Sequence, residues 1–303
     1  MIGTSSWADP GFVAEWYPSG MAARERLGWY AERFEAVELN SSFYAIPDPD
    51  TAARWVDVTP AGFRFHVKLH RLLSRHAAEA DSLPPDLRGE VEVNPRGRVL
   101  LSDDLELTMA ERTLEALAPL ERSGRLGALL LQLSPSFDPK RHRLEELEPL
   151  LAALAPHPVA LELRHRGWVE GERTETTMRF FSEHEAAWVG VDAPHSDAFT
   201  ILPPVDAVTR EDLAYMRAHG RNAEGYLKGR SVAERFGWDY ADAELEEIGA
   251  RAQGLADQAA EVVVMFNNNR GADAPASARR MRELLGQDPG PAPEREPAQL
   301  RLP

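Results

Sequence analysis

The 303-residue chain contains no cysteine. Without thiolates, the sequence excludes disulfides, zinc–thiolate sites, iron–sulfur clusters and cysteine nucleophiles. No stretch approaches the roughly 18 uninterrupted apolar residues of a membrane span. The N-terminal sequence MIGTSSWADP also lacks the basic and apolar regions of a secretory signal. We therefore expect a cytoplasmic protein that has no membrane partner.

Several common functional motifs are missing as well. No GxGxxG follows the first predicted strand, and no GxSxG, HExxH or Walker motif occurs. These absences give no support to dinucleotide-binding, serine-hydrolase, zinc-peptidase or P-loop chemistry, and no cofactor is evident. The net charge of −15 argues against a broad nucleic-acid surface, because phosphates would be repelled. The oligomeric state is left open by the sequence.

What the chain does contain is a repeated alternation of strand and helix patterns, in a composition that is 43% hydrophobic. Amphipathic stretches such as 24–35, 109–124, 143–155 and 243–258 separate short apolar runs. Eight such units in one chain favour a closed TIM (β/α)₈ barrel over an open sheet. The predicted strands are 1–5, 36–40, 63–68, 127–133, 159–164, 187–192, 214–220 and 261–267.

Two segments depart from this rhythm. Between alternating runs, the NPRG sequence at 94–97 is typical of a turn, which predicts a small β-hairpin insertion at about 89–102, after strand 3. The proline-rich segment 286–303 is poor in large apolar residues, so we expect a disordered tail. The predicted organisation is a single barrel domain over residues 1–285 followed by that tail.

The chain resembles a known family in several motifs that occur in order along almost its whole length, to about residue 285. They are GTSSW (3–7), WYPSG (16–20), FEAVELNSSFYAIP (34–47), FRFHVK (63–68), LGALLLQLSPSF (126–137), ALELRHRGW (160–168), RAHGR (217–221) and FNNN (266–269). This pattern is similar to the domain of unknown function 72 (DUF72), or YecE-like, family. The resemblance implies a TIM barrel and brings no established reaction. The chain departs from the family pattern at Ser134 and Arg166, where prolines are usual, and in the inserted hairpin.

Alternation along the strands separates apolar from polar side chains. In AVELN, Val37 and Leu39 point one way while Glu38 and Asn40 point the other. If the apolar set packs against the outer helices, the polar set lines the barrel and gathers at its carboxyl-terminal end, where barrel active sites lie. A half-solvated sheet would give a similar pattern, although parallel strands are normally covered on both faces.

Glu38 and Glu162 are the first catalytic candidates, because paired inward carboxylates can divide into an acid and a base. The alternative is that each only neutralises a nearby cation, such as Lys68 or Arg164, in a structural network. Lys68 is itself a candidate, either as a base or Schiff-base nucleophile when desolvated, or as a charged group that holds an anion. The sequence favours the anion-holding role.

Basic residues cluster in three predicted loops on the same side of the barrel. The runs 63–76, 164–166 and 217–230 supply Lys68, Arg164 and Arg221 as candidate anion ligands, although exposed helical arginines would give the same composition. His219, at a strand end, is the best placed histidine for proton transfer, with a buried structural histidine as the alternative. A divalent metal at Glu162, Asp192, His219 and Asn267 is a further alternative that the amide of Asn267 disfavours.

Other inward or loop residues are candidates for orienting a substrate. The predicted substrate-binding set is Ser5, Trp7, Asn40, Tyr44, Gln132, Arg164, Asp192, Arg221 and Asn267. We expect an enzyme of hydrolase, lyase or isomerase type that performs acid/base chemistry on a small anionic, hydroxyl-rich molecule such as a phosphosugar or nucleotide fragment. The second hypothesis is a non-catalytic binder of an anionic metabolite or a nucleic-acid end.

Overall fold

Eight parallel strands close into a barrel in the computed structural model, which describes residues 1–292. Each strand pairs with its neighbours in chain order, and β8 pairs with β1. The TIM barrel predicted from the sequence is therefore confirmed. The strands are β1 (Ile2–Thr4), β2 (Ala36–Leu39), β3 (Arg64–Lys68), β4 (Leu126–Gln132), β5 (Val159–Glu162), β6 (Ala186–Asp192), β7 (Ala214–Ala218) and β8 (Val262–Phe266).

Helices follow most of the strands and cover the outside of the barrel. Short 3₁₀ turns at Ser41–Phe43, Leu144–Leu147 and Arg166–Val169 follow β2, β4 and β5. The α-helices are α1 (Pro10–Glu15), α2 (Ala23–Ala31), α3 (Pro49–Asp57), α4 (Asp103–Arg122), α5 (Glu148–Leu154), α6 (Arg173–Glu183), α7 (Ala223–Lys228), α8 (Val232–Phe236), α9 (Asp242–Ala256) and α10 (Asp273–Leu284). No helix within residues 1–292 combines the length and apolar character that crossing a bilayer requires.

The longest helix, α4, shows how local sequence fixes an element. Ser102 caps its N-terminus by accepting a hydrogen bond from the amide of Leu105, and the acidic residues Asp103, Asp104 and Glu106 lie in the first turn. Both features stabilise a helix start. The serine oxygen accepts a hydrogen bond from an amide that has no partner within the helix, and the acidic side chains interact favourably with the positive end of the helix dipole. The helix therefore begins directly after the inserted segment.

The strands place alternate side chains inside and outside the barrel, as the sequence pattern predicts. Thr4 bonds the hydroxyl of Tyr30 on α2 at 2.9 Å, so it points outward, whereas Glu38 bonds Arg217 across the barrel. Val37 and Leu39 are buried on the outward face of β2. In neighbouring parallel strands, residues in register share a face. Gly3, Met265 and Arg217 are in register, so all three point inward.

The insertion after β3 forms a minimal hairpin. Val93 and Val99 make one antiparallel bridge, and the amide of Gly97 donates to the carbonyl of Asn94 at 2.8 Å. Gly97 has φ of +70°, a conformation that costs glycine little. The hairpin is attached to the loop after β3, since Val99 donates to Ala78 O at 2.9 Å and Arg98 pairs with Glu79 at 2.6 Å.

Ordered contacts continue beyond residue 285. The guanidinium of Arg279 on α10 donates to Gly290 O at 2.7 Å, and the amide of Gly290 donates to Asp288 at 2.9 Å. Residues 286–290 therefore pack against the last helix, where the sequence predicts the start of a disordered tail. The rest of that predicted tail, from 293 to 303, lies outside the described residues.

Candidate functional site

A buried ion network joins three strands across the barrel interior. Glu38 on β2 and Glu162 on β5 are both 0% exposed, and Arg217 on β7 lies between them. Arg217 donates to the two oxygens of Glu38 at 2.9 and 2.6 Å, and to Glu162 at 2.5 Å. Tyr215 adds a hydrogen bond to Glu38 at 3.1 Å. The two predicted carboxylates are thus brought together, by an arginine that the sequence analysis counted only among the basic loops.

This network fixes the charge of Glu162. Burial acts to raise the pKa of this carboxyl, but the charge of Arg217, together with His219 and Arg164, holds it well below its usual range. Gln132 donates to the same carboxylate at 2.8 Å. A carboxylate so strongly held stays ionised at neutral pH, which does not suit a proton donor.

His219 is a neutral member of the network. Its Nε2 lies 3.1 Å from Glu162 Oε1, and its Nδ1 lies 3.0 Å from the amide nitrogen of Asn267. Because Glu162 only accepts, Nε2 carries the proton and Nδ1 accepts from Asn267. Burial, opposed by Glu162, lowers the pKa of His219 to about 4. At neutral pH this ring positions Glu162 and has no free nitrogen to accept a proton.

Lys68 differs from its neighbours because it lies partly exposed at the end of β3. Its ammonium stands 4.3 Å from the centre of the Phe43 ring, and within residues 1–292 it forms no hydrogen bond or ion pair. Burial, followed by the charge of Arg217, lowers the pKa of Lys68 to about 7, although Glu38 and Glu162 act in the opposite direction. The amine is therefore balanced between its two protonation states near neutral pH.

Further groups surround Lys68 at the ends of β3 and β5, a region here called the β3–β5 mouth and defined by Phe43, Lys68, Arg71, His76, Arg164 and Tyr226. Arg164 donates to Glu162 at 3.2 Å and also bonds the hydroxyl of Tyr226. The Arg71 guanidinium lies 5.7 Å from the Phe43 ring centre, and its Nε is buried with no hydrogen-bond partner among residues 1–292. Burial, together with the charges of Lys68 and Arg164, lowers the pKa of His76 to about 4.

The remaining candidates lie after the ends of β1 and β2. Asn40 donates from its side-chain nitrogen to Ser5 O at 2.7 Å, and Ser5 is fully buried. Trp7 packs edge-on against Trp55, with ring centres 5.6 Å apart. Tyr44 is 61% exposed and touches the edge of Phe43. Phe43, which the sequence analysis did not select, is therefore the aromatic ring beside Lys68.

Asp192 does not join the interior network, which corrects the expectation for β6. Val189 and Val191 are in register with Tyr215 and Arg217, so the valines point inward and Asp192 points outward. Its carboxylate accepts from Tyr240 at 2.6 Å and from Arg221 at 2.8 Å. On β2 and β5 the apolar residues face the outer helices and the polar residues face the barrel interior. On β6 this arrangement is reversed.

Arg221 is neutralised in this outer cluster. Besides Asp192, it pairs with Glu247 at 2.8 Å and with Glu244 at 3.6 Å. Lys228 in the same run pairs with Glu224 and is 77% exposed. Within residues 1–292, no group of three or more histidine, aspartate or glutamate side chains has a geometry that would hold a metal ion. Glu162, His219 and Asn267 do lie together, but Asp192 lies apart from them.

Arg217 carried a sequence signal that alternation reveals. Tyr215, Arg217 and His219 occupy every second position of β7 and its end, as Glu38 and Asn40 do on β2. Applying the same alternation to β7 places Arg217 inside. Phe43 lies in the 3₁₀ turn after β2, His76 in the loop after β3 and Tyr226 on α7, and strand periodicity does not identify residues outside the strands that return to a site.

The fold and the interior network define a (β/α)₈ barrel with a charged carboxyl-terminal end. The chain matches the family model described as protein of unknown function DUF72 over residues 1–300, and it belongs to that family. It is 30% identical to the UPF0759 protein YunF of Bacillus subtilis over 94% of both chains. It is 29% identical to the UPF0759 protein YecE of Escherichia coli K12 over 65% of this chain and 63% of that one.

Solved structures of the family share the architecture. A DUF72 family protein of Enterococcus faecalis superposes with a TM-score of 0.72 at 26% identity, covering 94% of this chain and 97% of the other. A DUF72 family protein of Thermotoga maritima gives a TM-score of 0.75 at 25% identity, covering 94% and 99%. These likenesses establish family and fold, and the family description names no reaction.

Proposed function

We propose that the protein is an enzyme that performs acid/base chemistry on a small anionic, hydroxyl-rich substrate at the β3–β5 mouth. In this proposal Lys68 transfers the proton, a role that the sequence analysis gave first to Glu38 and Glu162. Arg164 and Arg71 hold the anionic group, and the buried network of Glu38, Arg217 and Glu162 fixes the geometry beneath them. The observation that carries the proposal is the partly exposed, unbonded Lys68 amine beside those guanidinium groups.

The position of Lys68 suits proton transfer. An acid/base group works best when its pKa lies near the working pH, and the pKa of Lys68 is lowered to about 7. The amine has no competing hydrogen bond within residues 1–292, so a substrate proton or hydroxyl is free to approach it. Strongly shifted lysines occur at functional sites more often than elsewhere, which supports the assignment.

The charges around the mouth support an anionic substrate. Glu162 pairs with both Arg217 and Arg164, so its single negative charge only partly neutralises these two cations. Arg71 adds a buried donor, its Nε, that has no partner in the described part of the chain. Four cationic side chains therefore face two carboxylates in a protein whose net charge is −15. The resulting local positive potential favours a bound anion. The residues concerned are Lys68, Arg71, Arg164, Arg217, Glu38 and Glu162.

A non-catalytic binder is the second candidate, and one observation favours it. Arg217 occupies both oxygens of Glu38 and one oxygen of Glu162, so neither carboxylate is available for chemistry. A binder would keep its ligand unchanged. If its ligand were a nucleic-acid end, affinity would fall steeply with salt. Measuring turnover therefore separates this candidate from the enzyme.

Calorimetric titration with inorganic phosphate and ribose 5-phosphate tests the anion site. Lys68→Met keeps the apolar stem and removes the charge, and Lys228→Met is a matched control at an exposed lysine outside the mouth. A charge-assisted contact is worth about 1.5–3 kcal/mol, so Lys68→Met should weaken binding by about one to two powers of ten. Lys228→Met should change nothing. Equal affinities in all three proteins, or no binding to the wild type, would refute the proposed role of Lys68.

A further inference from the structure

The carboxyl-terminal end of the barrel also holds buried polar atoms that no group within residues 1–292 satisfies. Ser5 Oγ, Asn40 Oδ1 and Asn269 Oδ1 are buried and have no hydrogen-bond partner within the described part of the chain. Ser5 is 0% exposed and Asn269 is 6% exposed. An unsatisfied buried polar group costs about 1–3 kcal/mol, so such groups usually meet a ligand or water.

The fold brings these atoms to one side of the barrel. Ser5 directly follows β1 and its amide donates to Phe266 O on β8 at 2.9 Å, while Asn40 follows β2 and bonds Ser5 O. Gly3 and Glu38 point inward on their strands, and Ser5 and Asn40 follow the carboxyl-terminal ends of the same two strands. Asn269 contacts Asn267 after β8. The carboxyl ends of β8, β1 and β2 are adjacent in the barrel.

A chain of hydrogen bonds fixes which atoms accept. Glu162 accepts from His219 Nε2, so His219 Nδ1 must accept from the Asn267 amide nitrogen. The oxygen of Asn267 then accepts from Asn269 Nδ2, at 3.5 Å, which leaves Asn269 Oδ1 as a free acceptor. Asn40 likewise gives its nitrogen to Ser5 O, which leaves its oxygen free. Both amide oxygens therefore have an unused acceptor position that a hydroxyl donor of a ligand can fill.

We propose that the ends of β8, β1 and β2 form a neutral hydroxyl-binding subsite, defined by Ser5, Asn40 and Asn269, which receives the polyhydroxyl end of a substrate whose anionic end lies at the β3–β5 mouth. This inference rests on the proposed function, because it assigns the second half of the same site. Two acceptors and one serine hydroxyl match the donors of a sugar or polyol. A second anionic group would meet two amide oxygens and be repelled.

The subsite therefore selects sugar monophosphates over compounds that are anionic at both ends. We expect ribose 5-phosphate to bind at least tenfold more tightly than inorganic phosphate, and ribose 1,5-bisphosphate to bind no more tightly than ribose 5-phosphate. Phosphate alone reports on the mouth, whereas the affinity ratio of ribose 5-phosphate to phosphate reports on the subsite.

Calorimetric titration of Ser5→Ala tests the subsite, with Ser41→Ala as a control at an exposed serine. Ser5 Oγ has no partner within residues 1–292, so its removal should not lower the thermal unfolding midpoint. Ser5→Ala should lower the affinity ratio by about three- to tenfold and leave phosphate affinity as in the wild type. Asn269→Ala should act in the same direction, and Ser41→Ala should have no effect.

The outcomes distinguish this inference from the proposed function. If phosphate binds but ribose 5-phosphate binds no better, or if the ratio is the same in Ser5→Ala, the subsite is refuted while the anion site stands. If neither ligand binds the wild type, the proposed function fails and the subsite fails with it. A bisphosphate that binds more tightly than the monophosphate would overturn the neutral character of the subsite.

Discussion

The environment of Lys68 changes the protonation of its amine at neutral pH. Its pKa of about 7 lies below the usual value of 10.5, so between these values the unfolded chain holds a proton that the folded chain lacks. The burial penalty is complete below pH 7 and is relieved as pH rises towards 10.5. The unfolding free energy should therefore rise with pH across this window.

Lys68→Met should remove this dependence. The variant should be more stable than the wild type at pH 7, and its unfolding free energy should rise less between pH 7 and 10, because an uncharged side chain replaces the desolvated ammonium beside Phe43. Urea unfolding followed at several pH values measures both quantities. Parallel curves for the two proteins would mean that Glu38 and Glu162 compensate the lysine charge fully.

The alternation of polar and apolar residues along the strands predicted part of this site. It failed on the strand where apolar residues face inward. It placed Glu38 and Glu162 inside, because apolar residues on β2 and β5 pack outward. On β6 the inward positions are Val189 and Val191, and Asp192 lies outside with Tyr240 and Arg221. The sequence separates the two faces of a strand but does not show which face is the inner one. The inner face is set by the register with the neighbouring strands.

At the scale of elements, Arg217 ties β7 to β2 and β5. Removing one partner of a buried ion pair leaves an uncompensated charge, so Arg217→Met should lower the unfolding free energy by about 3–5 kcal/mol. The Glu38 carboxylate would lose most of its stabilisation, because within residues 1–292 only Tyr215 would then remain as its hydrogen-bond partner. Adding Glu38→Gln should restore part of the loss, since it removes the stranded charge. A double variant less stable than the single one would contradict this account.

The hairpin after β3 should affect binding more than stability. Polar contacts join it to Ala78 and Glu79, in the loop that also carries His76, and the Arg98–Glu79 ion pair is exposed. Replacing residues 92–100 by a glycine–serine linker keeps Ser102, the cap of α4, and should cost about 1–3 kcal/mol, mainly through Val99. We expect the ribose 5-phosphate to phosphate affinity ratio to change. An unchanged ratio would remove the hairpin from the substrate face.

The order of elements was predictable because each strand is a short apolar run bounded by turn residues. All eight predicted strands are present, within two residues at their ends. The packing of residues 286–290 was not predictable, because it depends on Arg279 bonding backbone carbonyls rather than on apolar side chains. Phe43, His76 and Tyr226, which belong to the mouth but lie outside the strands, were missed for a related reason, since their positions are set by tertiary contacts.

At the scale of the whole molecule, buried histidines make the fold sensitive to acid. Burial lowers the pKa of His66 to about 3 and of both His70 and His219 to about 4. Each is neutral when folded but gains a proton on unfolding below about pH 6.5, so stability present above pH 6.5 is lost as pH falls towards 4. Each contributes at most about 1.4 kcal/mol per pH unit. A free energy of unfolding that stays constant from pH 7 to 5 would contradict this expectation.

The most direct test of the central claim is the titration of Lys68 followed by NMR of lysine labelled with ¹³C at Cε. The chain has only three lysines, so the resonance that disappears in Lys68→Met is assigned at once. We predict that this resonance titrates with a midpoint near pH 7, and that phosphate moves the midpoint upward, because a bound anion favours the charged amine. A midpoint above pH 9 that phosphate does not move would show that Lys68 is neither the proton-transfer group nor part of an anion site.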